Sequence, residues 1–193
     1  MELLIHHRAS PVVRKVLLVA AELGIDLPVR EIAWRDPEAR MAYARLNPND
    51  NFPTLLDDEL VLWESNAIAL HLCRAAGGLL PDAPAAWSEM MRWLFFESAH
   101  LGLAALRLTS GRLSHVADTQ KDVDEFHRRA RILDGALGDR EWIVGDALSL
   151  ADLVLAAPLT YARQADLPLR DHPALARWFA RIEARPSWAA TQP

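Results

Sequence analysis

The chain has 193 residues, 51% of them hydrophobic, which is enough to bury a sizeable core and excludes a disordered or fibrous protein. Its 26 acidic and 21 basic side chains leave a formal net charge of -5, the wrong balance for a phosphate-binding surface. The single cysteine, Cys73, excludes an intramolecular disulfide framework, and no secretory leader or membrane-length apolar run is present, so a cytoplasmic protein without nucleic-acid or membrane partners is expected.

The first half alternates short strands with helices. Leu3 to Ile5 reads as a buried strand, and Val13, Val16, Leu17 and Ala20 then recur at helical spacing until Gly24. Ser10-Pro11 stands at the start of that helix: serine accepts an orphan backbone N–H at the cap, and proline's missing donor costs nothing in the first helical position. A second strand is expected around Val29 to Ile32, then a helix that must stop near Asn47, because Pro48 disfavours helical geometry in the residue before it. Thr54 to Leu56 and Leu60 to Trp63 flank Asp57-Asp58-Glu59 as a hairpin, and a third helix runs from about Ser65 to Ala76, closed by Gly77. The order is β-α-β-α-β-β-α.

Strand signals end at the turn-rich "GGLLPDAP", residues 77 to 84. Beyond it, Trp87, Met91, Leu94, Ser98, Leu101 and Ala105 trace one stripe of a long helix, with Trp87, Trp93 and Phe95 as ordinary core aromatics. Val123, Phe126, Ala130, Leu133 and Leu137 trace a second. Leu150, Leu153, Val154 and Ala157 make a third that Pro158 kinks or ends, and Leu175, Trp178, Phe179 and Ile182 a fourth opened by Pro173. Ser149-Leu-Ala-Asp152 has the form of a capping box. The expected division is residues 1–76, an α/β domain; 77–83, a linker; and 84–193, an all-α domain.

Few side chains offer chemistry. A helix N-terminus carries about half a positive charge, so Ser10 sits where an anion is stabilised and where its hydroxyl can donate to a thiolate while its lone pairs cap the helix. Phe52-Pro53 lies before a strand, where a cis peptide bond is an option, and Glu64-Ser65 begins a helix where serine and free N–H groups suit a carboxylate and Glu64 suits an ammonium. His6 and His7 point to opposite faces if both lie in the strand, so no metal site is expected. Cys73 reads as a small buried residue, Arg14 as a structural residue or an ion-pair partner, and Arg128-Arg129-Arg131 as a solvated helix face with mixed ion pairs.

Four segments together resemble the cytosolic glutathione S-transferase family in its bacterial, serine-type or cysteine-type classes: "SPVVRKV", "NPNDNFPTLLDDELVLWESNAIALHL", "ALSLADLVLAAP" and "HPALARWFARIEARPSW". The resemblance implies a thioredoxin-like N-terminal domain followed by an all-helical C-terminal domain. It also implies glutathione as cosubstrate, a small hydrophobic electrophile as second substrate, and a homodimer. Ser10 matches the serine that hydrogen-bonds the glutathione sulfur in theta-like and zeta-like members, where omega-like members have cysteine. Pro53 matches a cis-proline, Phe52 the residue whose backbone pairs with the cysteinyl part, and Asn51 the neighbouring loop position. Glu64 and Ser65 match the acid-serine pair that holds the γ-glutamyl ammonium and carboxylate.

The implied mechanism lets the helix dipole and the Ser10 hydroxyl ionise the glutathione thiol, which attacks the electrophile held by the second domain. One departure stands out: the family often has Gly and then Lys or Gln where this chain has Asp50 and Asn51, which adds a negative charge near a ligand with two carboxylates. The other readings are a glutathione-dependent isomerase or dehalogenase, and a non-catalytic interaction module of the same fold. "RASPVV" lacks the extra Ser and Cys of the zeta motif, which ranks the isomerase lower. His7, Arg8 and His100 are weaker site candidates.

Overall fold

In the computed structural model, residues 1–115 and 120–193 are described. They form two compact units, Met1–Gly78 together with Ser187–Pro193, and Leu79–Pro186.

The first unit follows the order expected from the sequence: β1 (Glu2–Ile5), α1 (Pro11–Glu22), β2 (Val29–Glu31), α2 (Pro37–Leu46), β3 (Thr54–Asp57), β4 (Leu60–Trp63) and α3 (Ser65–Ala76). The sheet order is β2-β1-β3-β4. Only β1 and β2 run parallel, as a strand-helix-strand crossover requires, whereas β3 pairs antiparallel with both its neighbours. Asp57 pairs with Leu60 across the hairpin, which leaves a two-residue loop with Asp58 at φ 48°, a conformation that a short polar side chain tolerates. Leu3, Leu4, Ile5 and Leu55 of the sheet are fully buried with Val13, Val16, Ile68 and Leu72, and α1 packs on α3. Gly77 takes φ 74° and its N–H bonds Cys73 O at 2.9 Å, the left-handed helix end anticipated there. Cys73 is buried, and desolvation pushes its thiol up to about 12, so it fills space as an inert side chain.

The last seven residues group with this unit. Arg14 is wholly buried; its Nη2 donates to Trp188 O at 2.9 Å and its guanidinium lies 3.7 Å from the Trp188 ring centroid. Ser187 Oγ adds a bond to Glu22 Oε2 at 2.5 Å. The arginine that the sequence marked as structural thus ties α1 to the C-terminal segment, a pairing 174 positions apart.

Among the described residues the regular elements of the second unit are all helices: α4 (Pro84–Phe96), a π segment (Glu97–Leu101), α5 (Gly102–Leu113), α6 (Gln120–Leu137), α7 (Leu150–Ala156), 3-10 turns at Ala157–Leu159 and Leu169–Asp171, and α8 (Pro173–Glu183). A short α9 (Pro186–Ala190) straddles the boundary with the first unit. Pro158 ends α7 in the first 3-10 turn, and Pro173 opens α8, as the sequence suggested. The single long helix over 87–105 is corrected: a π segment interrupts it, and Met90, Trp93, Leu94, Glu97 and Leu101 are inside while Ser98 is outside. Phe95, expected in the core, is 67% exposed. Gly102 leaves room for the Glu97 side chain, because a Cβ there would lie 2.8 Å from Glu97 Oε1. The arginine cluster behaves as expected, with Arg129 and Arg128 both paired to Glu125. Among the described residues no helix is long and apolar enough to cross a membrane.

Asp152 organises this unit. Its carboxylate is fully buried and accepts from Ile143 N and Trp178 Nε1 through one oxygen, and from Ser149 N and Oγ through the other, each at 2.9 Å. The capping box anticipated at Ser149 is present, and its acid also anchors the fully buried Trp178. Asp152→Ala orphans the buried donors and is expected to cost about 3 kcal/mol in denaturant unfolding. Burial raises the Asp152 pKa above the ordinary carboxylate value, against the pull of the hydrogen bonds. The folded state therefore holds this proton more tightly than the unfolded chain. Stability falls as pH rises from the ordinary carboxylate pKa through the raised one, and the difference in unfolding free energy between the native protein and Asp152→Asn should change in that window and be flat above it.

Candidate active site

Ser10 occupies the N-cap position of α1 with extended backbone angles, and Pro11 follows at the first helical position. The backbone does the capping expected of it, since Ser10 O accepts from Arg14 N at 2.8 Å, but the hydroxyl makes no cap hydrogen bond. The sequence expectation of a side-chain cap is corrected here. The hydroxyl belongs to a residue only 8% exposed at the helix N-terminus, where the backbone dipoles leave a partial positive charge, and it is not bonded back to the first turn.

The second candidate, Ser65, is also not a cap. It is the first residue of α3, and Glu64 holds the N-cap position at φ 73°, ψ 111°. This places an exposed carboxylate and a serine hydroxyl together at a helix start. A residue passed over in the sequence joins the two serine sites: Lys15, 3% exposed on α1, donates from Nζ to Ser65 Oγ at 3.1 Å and to Asn66 Oδ1 at 2.9 Å. The available signal was a charge set among apolar helical neighbours, with Val12, Leu18 and Val19 three or four residues away.

The loop before β3 forms the third part. The Phe52-Pro53 peptide bond is cis and Pro53 is buried. Asn51 O accepts from Tyr43 OH and from Asn47 Nδ2, both at 2.6 Å, and Tyr43 OH also contacts Thr54 Oγ1 at 2.7 Å. Burial raises the Tyr43 pKa, with the Thr54 and Asn47 bonds opposing the shift, so the phenol stays a donor to the loop. The Phe52 ring stacks on Tyr43 at 4.2 Å and on His6 at 5.0 Å, with Trp34 edge-on at 5.0 Å. The Asn51 side chain is exposed, donating to Asn49 O at 3.2 Å. Asp50, the departure from the family pattern, is paired with Arg40 at 2.8 Å.

Three contacts draw these parts together: His6 on Phe52 joins the end of β1 to the loop, Asn49 Nδ2 to Glu64 Oε1 at 3.2 Å joins the loop to α3, and Lys15 joins α3 to α1. The loop, the head of α3 and α1 are thus linked to one another within the first unit. His7 and Arg8 are exposed, and His100 is exposed on the π segment of the other unit. The opposite-faces argument for His6 and His7 is corrected, because β1 ends at Ile5 and the two rings lie 3.8 Å apart. Burial and the neighbouring His7 lower the His6 pKa. Among the described residues no group of three or more metal-ligating side chains is found.

Residues 9–75 match the model of the glutathione S-transferase N-terminal domain and residues 100–186 that of the C-terminal domain. Glutathione S-transferase GstB of Escherichia coli K12 is 31% identical over 188 residues, covering 91% of this chain and 89% of the relative. The chain belongs to the glutathione S-transferase family. Among solved structures, glutathione S-transferase 1-6 from Anopheles dirus species B superposes with a TM-score of 0.88 at 26% identity, over 99% of this chain and 93% of that one. The enzyme from Methylobacillus flagellatus KT, solved with glutathione bound, gives 0.82 at 30% identity over 100% and 98%. The βαβαββα unit is therefore the family's thioredoxin-like domain, the helical unit its C-terminal domain, and the protein a glutathione transferase.

The loop's fixity is a local, measurable property. Asn47, 1% exposed, donates to both Asn51 O and Thr54 Oγ1. Asn47→Ala and Tyr43→Phe are each expected to lower stability in urea unfolding by about 1–3 kcal/mol, because each leaves a buried acceptor short of its donor.

Proposed function

We propose that the protein is a serine-type glutathione transferase that activates the thiol of glutathione with Ser10. The observation that carries this reading is the Ser10 hydroxyl, held at the positive end of α1 and not spent on the helix cap. A thiolate placed there is stabilised by the helix dipole and accepts a hydrogen bond from the hydroxyl. Both interactions favour the ionised sulfur, so the thiol pKa falls and the nucleophile is present near neutral pH. Ser10 needs no nucleophilicity of its own: the sulfur attacks carbon of a small hydrophobic electrophile, the new C–S bond forms, and the leaving group departs with the displaced electron pair.

The rest of the tripeptide follows from complementary charge. Glu64 takes the γ-glutamyl ammonium, and Ser65 with the first N–H groups of α3 takes the adjacent carboxylate. The Phe52 backbone, turned by Pro53 and pinned through Asn51 O, pairs with the cysteinyl part, and Asn51 borders it. The Asp50 charge, a repulsive element if bare, is offset by Arg40. The glutathione bound in the Methylobacillus relative supports the choice of cosubstrate. A homodimer is part of the same reading, and Phe95, Leu103 and Leu106 supply exposed apolar surface for one.

Ser10→Ala tests the assignment. Glutathione binding by calorimetry is expected to persist, the thiolate ultraviolet absorbance to move to higher pH, and kcat at neutral pH to fall about 100-fold, the scale set by loss of one preorganised donor. An unchanged thiol titration would remove Ser10 from the mechanism.

A further inference from the structure

We infer that Lys15 is a positioning and selectivity residue, which orients the Ser65 hydroxyl and supplies the positive charge that makes the α3 start prefer a ligand with a free γ-glutamyl carboxylate. The inference rests on the glutathione reading above and adds to it a residue on a different helix. Lys15 is in the second turn of α1, 3% exposed, and its Nζ reaches the first two residues of α3 at 3.1 and 2.9 Å.

The orientation argument is one of donor and acceptor counts. An ammonium only donates, so Ser65 Oγ must accept in this contact, and its single proton has to project elsewhere. A serine so fixed is a donor to whatever lies at the helix start. The Asn66 carbonyl oxygen is likewise turned toward Lys15, which directs its amide group the other way. Both polar residues at the head of α3 are thereby presented as donors, the polarity a carboxylate needs.

The charge argument concerns selectivity. Ser65 and the backbone N–H groups at a helix start would bind any acceptor, including a neutral amide. A full positive charge one hydrogen bond behind Ser65, shielded from water by burial, acts on an anion and much less on a neutral group. Glu64, exposed and acidic, has the opposite preference and suits the ammonium. Lys15 and Glu64 together read the two opposite charges on one amino-acid end group. The competing role for Lys15 is a plain tie between α1 and α3, which would be indifferent to ligand charge.

A cycle between protein and ligand separates the two roles. Calorimetry of the native protein and Lys15→Met is run with glutathione and with 4-aminobutyryl-cysteinyl-glycine, which keeps the ammonium and thiol and lacks only the carboxylate. The expected result is that Lys15→Met weakens glutathione about tenfold or more, the scale of a charge-assisted hydrogen bond, and leaves the analogue's affinity unchanged. In steady state the glutathione KM rises and kcat at saturation holds. Equal weakening of both ligands identifies a structural tie and overturns the inference, as does no weakening of either. Lys15→Gln, which retains a donor of similar reach without the charge, takes the place of Lys15→Met if the latter shows no cooperative unfolding by circular dichroism, with the same outcomes. Failure of the native protein to bind millimolar glutathione removes the glutathione reading itself, and this inference with it; normal native binding with an unaltered variant removes this inference alone.

Discussion

Two cations buried in one helix set the geometry of the N-terminal unit. Arg14 and Lys15 are successive residues of α1, 0% and 3% exposed, and a buried cation is tolerated only where acceptors meet it. Successive helical positions lie about 100° apart around the axis, so the two side chains leave α1 in different directions. Arg14 meets the carbonyl and ring of Trp188, and Lys15 meets the head of α3. A helix fixed on two sides by such contacts can neither roll nor slide without stranding a charge. Ser10, one turn before them, inherits that fixity. The position of the proposed thiol-activating hydroxyl is therefore set by buried contacts further along the same helix.

The loop before β3 depends on a helix with almost no core of its own. Tyr43 is the buried residue of α2, and it is buried with its hydroxyl bonded to Asn51 O and Thr54 Oγ1. Asn47, directly after the helix, repeats the pattern. What α2 contributes is a polar clamp on residues 51–54, reinforced by Phe52 stacking over the same tyrosine. Arg40, from an earlier turn of α2, neutralises Asp50 and lies 4.6 Å from the Trp34 ring centroid. The acidic departure from the family pattern thus has its own counterion on the helix that clamps the loop.

Features set by local chemistry were legible in the sequence. The Asp-rich turn between two apolar runs gave the hairpin, Gly77 the end of α3, Pro158 and Pro173 a helix end and start, and Ser149 with Asp152 the capping box. Features set by a neighbour's position were not. Whether Ser10 caps with its side chain is a choice of rotamer, decided by what surrounds the hydroxyl rather than by the Ser-Pro pair. The aromatic and serine positions of α4 did not show which face meets a neighbour: Met90, Trp93 and Glu97 are inside and Phe95 outside, and the π segment at Glu97–Leu101 breaks the 3.6-residue repeat that periodicity assumes. Lysine in an amphipathic helix reads as a surface residue, and only the head of α3 makes Lys15 an interior one. The Arg14 partner lies near the other end of the chain, beyond any local pattern.

Glu64 shows how the fold brings an acid and a serine to one helix start. Trp63 is the last residue of β4 and Ser65 the first of α3, so one residue must turn the chain from extended to helical. It does so at φ 73°, ψ 111°, a conformation that costs a residue with a Cβ about 1–3 kcal/mol. Its carbonyl still accepts Ile68 N at 2.9 Å and its carboxylate is met by Asn49, so the surroundings hold what the backbone resists. Glycine would occupy this position without strain. The residue present differs from glycine only by its side chain, and that side chain ends in a carboxylate beside Ser65. The strain is therefore the cost of presenting an acid where the chain would otherwise favour no side chain at all, which is the arrangement a ligand ammonium next to a carboxylate requires.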